Sequence, residues 1–137
     1  PLYSSAASDV YKRQLVLGTG GASQAVQYVL AQMEIPFDLV SRNPATGNYT
    51  YDEVSDEVIG SHRLIINASP VGMHPNVEEA PRIPYAFVTP SHYLFDLIYN
   101  PAETLFLQYG AQRGAHTCNG LDMLVGQAEA AWAIWNR

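Results

Sequence analysis

The sequence predicts an α/β fold: a doubly wound, mostly parallel sheet with helices on both faces, in a single domain. Leu15-Val16-Leu17-Gly18-Thr19-Gly20-Gly21-Ala22-Ser23 passes from an apolar run through glycines into a helix-compatible segment. That is the order strand, tight turn, helix N-terminus. Leu64-Ile65-Ile66 is a continuous apolar run of the kind buried on both faces of a parallel sheet. Strand-like and helix-like segments then alternate to the C-terminus, with no internal repeat. The arrangement is Rossmann-like.

Each element has its own signal. After the first strand, Ala22, Val26, Val29, Leu30 and Met33 recur at helical spacing up to Glu34, and Pro36 blocks further helix. Phe37-Asp38-Leu39-Val40 reads as a second strand, making a right-handed β-α-β unit. Asn43 to Asn48 is dense in turn residues. A short helix is expected from Tyr51 to Ile59, stopped by Gly60, before the strand Leu64 to Asn67. Five prolines between Pro70 and Pro90 make that stretch a loop with at most short structure. Tyr93 to Ile98 is the next strand. Asn100-Pro101-Ala102-Glu103 resembles a helix start, with an N-cap, Pro at the first position and Glu at the third. That helix should run to about Arg113 and end at Gly114. Ala115 to Cys118 gives a last strand. Leu121 to Trp135 gives a last helix, with Leu121, Leu124, Val125, Ala128, Trp132 and Trp135 on its core face.

Composition narrows the function. The 137 residues carry a formal charge of −6, which argues against nucleic acid or an anionic membrane surface as a partner. No apolar window is long enough to span a membrane, and no secretory signal opens the chain. The single cysteine, Cys118, fits a reducing compartment, so a cytoplasmic protein is expected. His62, His74, His92 and His116 lack metal-ligand spacing, and no metal is expected. Pro1 to Gln14 is polar, rich in Ser and Ala and without period. It reads as a linker or as the translated scar of a vector or adapter, and the domain is expected to begin at Leu15.

Gly18, Thr19, Gly20, Gly21 and Ala22 place a glycine turn where helix amides and the helix dipole favour a pyrophosphate. Ser23 stands at the third fingerprint position, usually Gly or Ala. The second strand ends Val40-Ser41-Arg42-Asn43, with no carboxylate to hold a ribose 2′-hydroxyl. Arg42 offers a guanidinium for a 2′-phosphate, and Ser41 and Asn43 add small polar groups, which points to NADP rather than NAD. Asn67-Ala68-Ser69-Pro70-Val71-Gly72-Met73 follows the third strand at the sheet's carboxyl edge, and by pattern alone it reads equally as an ordinary loop. Gly120, Met123 and Gln127 share one helical face. Their spacing fits a cofactor-facing group, though a Gln bonded to backbone explains it better. Tyr99 sits just past a strand end.

Together these motifs resemble shikimate dehydrogenase, specifically its C-terminal NADP-binding domain, from Leu15 to Arg137. The resemblance rests on VLGTGGAS at Val16 to Ser23, SRN at Ser41 to Asn43 and NASPVGM at Asn67 to Met73. It rests also on DLIYNPAET at Asp96 to Thr104 and NGLDMLVGQA at Asn119 to Ala128. PRIPY at Pro81 to Tyr85 is similar to a short bacterial form. Ser41 departs from the Asn frequent in the family.

The resemblance implies NADPH-dependent, reversible reduction of 3-dehydroshikimate to shikimate in aromatic amino acid biosynthesis. It implies that Gly18 to Ala22 cradle the pyrophosphate and that Ser41, Arg42 and Asn43 surround the 2′-phosphate. It puts Ala68 and Ser69 along the cofactor cleft, Leu97, Gly120 and Met123 near the nicotinamide, and Tyr99 and Gln127 on the substrate. The family's catalytic Lys and Asp belong to an N-terminal substrate domain, and Lys12 is the only lysine here. The chain alone is therefore expected to bind NADPH weakly and not to turn over. A free-standing NADP(H)-binding module and a quinate-using relative are the alternatives. Monomer and homodimer are both left open.

Overall fold

The computed structural model describes residues 13–120. Five strands form one parallel sheet: β1 (Gln14–Leu17), β2 (Phe37–Val40), β3 (Leu64–Asn67), β4 (Tyr93–Asp96) and β5 (His116–Asn119), in the order β2-β1-β3-β4-β5. The sheet starts at β1, one strand in from an edge, reaches that edge with β2, then crosses back to build the other side. The reversal between β1 and β3 is the switch point beside which open α/β sheets bind ligands.

Three α-helices connect the strands: α1 (Gly21–Gln32), α2 (Asp56–Gly60) and α3 (Leu105–Gln112). Alternation along each strand sends side chains to both faces. Leu15, Leu17, Val40, Ile65 and Leu94 pack on one face against Val58 and Ile59 of α2 and Phe106 and Leu107 of α3. Val16, Ile66 and Ala68 pack on the other against Leu30 and Val26 of α1. Burial on both faces explains the unbroken apolar runs of β1 and β3.

Several boundaries differ from expectation. β1 begins at Gln14, and Arg13 just before it donates to Asp38 Oδ1 at 2.9 Å, so pairing recruits both residues before Leu15. The expected helix over Tyr51 to Ile59 divides into a 3-10 turn, Tyr51–Glu53, and α2. Thr50 and Glu53 form a capping box around the turn, and the Ser55 side chain accepts the Val58 N–H to start α2. Gly60 lies inside that helix, with Ser61 as its C-cap. The expected start at Asn100 and Pro101 does not hold either. α3 begins four residues later with Thr104 as N-cap, because the Thr104 hydroxyl is bound to Asp96 in the core. β4 ends at Asp96 and β5 runs to Asn119, each within two residues of expectation. The Pro70 to Pro90 segment carries a single 3-10 turn, Tyr85–Phe87. The expected helix from Leu121 to Trp135 lies outside the described residues.

Two histidines are structural. His62 is buried, with Nδ1 2.6 Å from the Val58 carbonyl oxygen and Nε2 2.7 Å from Asp38 Oδ2. His92 Nδ1 accepts the Thr89 N–H at 3.0 Å, so its Nε2 donates to the Ile59 carbonyl at 2.8 Å. His74 and His116 are exposed, and His116 stacks on Tyr93.

Candidate cofactor site

The glycine turn leaves β1 and enters α1 at the carboxyl edge of the sheet. Gly18 donates to the Val40 carbonyl at 2.8 Å and adopts φ +102, a left-handed conformation open to glycine. A Cβ there would lie 3.1 Å from Ser69, so the turn rests directly on the loop after β3. At Gly20 and Gly21 a Cβ would meet nothing within 4 Å. Gly20 caps α1 without a side chain, and the first helical bond runs from the Gln24 N–H to the Gly20 carbonyl. The amides of Gly21, Ala22 and Ser23 therefore have no carbonyl within the helix to bind. Open space over unbonded amides fits a phosphate. Ser23 suits the third fingerprint position because its buried hydroxyl accepts from Gln27 Nε2 at 3.0 Å.

The loop after β2 holds itself together. Ser41 is buried, its Oγ 2.7 Å from Thr46 Oγ1, and it accepts the Asn43 N–H at 3.1 Å. The Ser41 hydroxyl thus shapes the loop, while Arg42 and Asn43 stand exposed at its tip. Tyr51 joins this loop to the next. Its hydroxyl lies close to the Ser69 side chain and to the Arg42 guanidinium. Burial pushes the Tyr51 phenol up, and the neighbouring Ser69 side chain and Arg42 guanidinium partly offset the rise.

The loops after β3 and β4 meet through a buried polar pair. Asn67 and Asp96 are in register at the ends of their strands, and both are fully buried. Asn67 Oδ1 accepts from the Ser69 hydroxyl at 2.6 Å and the Ser69 N–H at 3.2 Å. Its Nδ2 donates to the Val71 carbonyl and to Asp96 Oδ1, each at 3.2 Å. Asp96 also accepts from the Ile98 N–H at 3.0 Å and the Thr104 hydroxyl at 2.6 Å. Burial raises the Asp96 carboxyl above its ordinary range, against the pull of those three bonds.

Beyond this pair, Met73, His74, Ile98, Tyr99 and Asn100 line a cavity of about 250 Å³. The His74 N–H donates to the Asn100 carbonyl at 3.0 Å, fixing one loop to the other. At Gly120 a Cβ would overlap the Leu97 carbonyl oxygen, so the end of β5 also closes on the β4 loop.

"Shikimate dehydrogenase (NADP(+))" of Methanococcus maripaludis (strain C6) is 36% identical to the chain over 140 residues, covering 92% of this chain and 50% of the relative. A solved chorismate mutase/shikimate 5-dehydrogenase fusion protein from Clostridium acetobutylicum is 38% identical with a TM-score of 0.68, covering 92% of this chain and 47% of that one. The chain is homologous to shikimate dehydrogenases. It spans about half the length of the curated relatives it matches. The Thermus thermophilus shikimate 5-dehydrogenase, solved with NADP(H) and shikimate, superposes with a TM-score of 0.72 at 29% identity, over 92% of this chain and 49% of that one. No protein-family model matches the sequence.

The fold gathers most of the expected site residues along one sheet edge. Gly18 to Ala22, Ser69, Leu97, Tyr99 and Gly120 follow the strand ends, and Ser41 to Asn43 follow β2. Ala68 reaches the edge by its backbone only, since its side chain is in the core. Met123 and Gln127 lie outside the described residues. Tyr51, Asp96, Asn67 and Thr104 carry roles that sequence reading missed, although a polar residue closing each apolar run (LIIN, YLFD) was a visible signal. Among the described residues, no group of three His, Cys, Asp or Glu side chains could hold a metal, and no helix is long and apolar enough to cross a membrane.

Proposed function

We propose that this domain is the NADP(H)-binding half of an enzyme that reversibly reduces 3-dehydroshikimate to shikimate. The observation that carries the reading is the glycine turn seated on Ser69, with open space over the α1 amides and Arg42 at the tip of the neighbouring loop. Relatives named as NADP(+) shikimate dehydrogenases support the cofactor and the substrate.

NADPH, when bound, supplies the hydride. The chain's own residues bind and orient it. The amides of Gly21 and Ala22 receive the pyrophosphate, and Gly18 and Gly20 let it approach. Arg42 holds the 2′-phosphate by charge-assisted bonds on a loop braced by Ser41, with Asn43 beside it. Ala68 and Ser69 border the cofactor, Leu97, Gly120 and Met123 flank the nicotinamide, and Tyr99 and Gln127 contact the substrate.

Proton transfer to the reduced oxygen needs a donor within hydrogen-bond reach. By family resemblance the catalytic Lys and Asp stand in an N-terminal substrate domain. The chain's only lysine, Lys12, precedes the described residues. The chain by itself therefore binds NADPH weakly and does not turn over. Titrating the purified chain with NADPH and NADH, then assaying 3-dehydroshikimate reduction, tests both statements. Tighter NADPH binding with no turnover is expected. Equal affinity for the two cofactors refutes the NADP assignment, and turnover refutes the division of labour.

A further inference from the structure

We propose that Asp96, acting through Asn67, is a positioning residue that holds the cofactor wing of the cleft against its substrate wing. The proposal rests on the NADP(H) reading for its functional consequence and on hydrogen bonds for its geometry.

One wing is the glycine turn leaning on Ser69, within 3.1 Å of a Cβ at Gly18. The other is the loop from Leu97 to Thr104, which carries Tyr99 and the cavity wall. Asp96 and Asn67 lie between them, at matched positions on adjacent strands. Asn67 binds Ser69 with its carbonyl oxygen and Asp96 with its amide. Asp96 takes the Ile98 amide at the root of the second loop and the Thr104 hydroxyl at its far end.

Both ends of the substrate loop are thus tied to one carboxylate, and that carboxylate is one bond from Ser69's partner. Every polar atom of the pair has a partner, so the strut has a single arrangement. A carboxylate at full burial is costly for packing alone, where an apolar residue would do better. Its geometry instead serves the spacing of two loops that must meet one dinucleotide. Small displacements of that kind are costly to binding and to chemistry alike.

The experiment compares Asp96→Ala, Asp96→Asn and the wild-type chain, well below their melting temperatures. An Asn at 96 keeps an oxygen for Ile98 and Asn67 and turns its amide toward Thr104, whose hydroxyl then accepts. Asp96→Ala should weaken NADPH binding about tenfold or more, while Asp96→Asn stays within about twofold of wild type, a difference under ~0.5 kcal/mol. Amide hydrogen exchange should speed up at Gly18 and Ser69 and at Ile98 and Tyr99 together in Asp96→Ala, and not in Asp96→Asn. Should Asp96→Ala fail to fold, Asn67→Ala cuts the same strut from the β3 side and is read the same way. A lowered melting temperature with unchanged NADPH affinity and unchanged exchange at Gly18 and Ser69 overturns the proposal. Should the wild type not bind NADPH, the cofactor reading falls, and exchange alone decides the strut: coupled acceleration on both wings supports it, and acceleration confined to one wing overturns it.

Discussion

Arg42 is exposed at the tip of a loop whose bracing comes from Ser41, Thr46 and Asn43. Such a residue contributes little to folding and much to an anion it meets. Arg42→Ala should therefore weaken NADPH by about 10- to 100-fold, the scale of lost charged hydrogen bonds, and leave NADH within about twofold. Isothermal titration checks this, and equal losses for both cofactors would contradict a 2′-phosphate role. The glycines divide by the same kind of test. Gly18→Ala forces a side chain to φ +102 against Ser69 and should cost about 1–3 kcal/mol of stability. Gly20 has φ −78 and open space, so Gly20→Ala should fold normally. Its methyl enters the phosphate space instead, and NADPH should weaken about tenfold for each ~1.4 kcal/mol of steric strain. Melting curves paired with cofactor titrations separate the two. Gly18, Gly20 and Arg42 were legible in the sequence because local chemistry defines them: a turn, an approach, a charge. Tyr51 was not, since its importance is a contact with Ser69 from a distant element.

Among elements, α3 shows how tertiary contacts outvote local signals. Asn100-Pro101-Ala102-Glu103 has the pattern of a helix N-terminus, yet the helix begins after Thr104. The Asp96 carboxylate holds the Thr104 hydroxyl, and that hydroxyl accepts the Leu107 N–H. A buried partner from β4 therefore decides where the helix starts. The same carboxylate gives the fold a pH dependence. Burial raises Asp96 in the native state, so between its ordinary value of 3.8 and its native value the folded chain holds a proton that the unfolded chain has released. Stability from this group is complete below the unfolded value and is lost as pH rises through the native one. Asp96→Asn removes that decline. Urea denaturation across the acidic to neutral range checks it: the wild-type midpoint should fall relative to the variant as pH rises, and parallel curves would contradict the assignment.

For the whole molecule, the sheet order β2-β1-β3-β4-β5 places every loop of the site on one edge, and side-chain ties reach across it. His62 ties α2 to β2 through Asp38, and Arg13 adds a bond from the chain ahead of β1. His62→Leu keeps the volume but strands one carboxylate oxygen and leaves the Val58 carbonyl only the long contact, 3.4 Å, from the Ser61 hydroxyl. It should lower stability by about 2–4 kcal/mol, measured by chemical denaturation. A loss within ~0.5 kcal/mol would mean water replaces those bonds. The position of Asp38 inside β2 is explained by this histidine.

What the sequence by itself determined is whatever depends on neighbours along the chain. The parallel α/β class, the β1-turn-α1 unit, the strand cores and the 2′-phosphate candidate follow from periodicity, glycine placement and one arginine. The tertiary structure alone decided which polar residues meet across the sheet. Asn67 with Asp96, Tyr51 with Ser69 and His62 with Asp38 are separated by 18 to 29 positions in the sequence. No spacing rule links residues so far apart. Strand register and burial bring them together, and a buried polar group must find a partner wherever the fold supplies one.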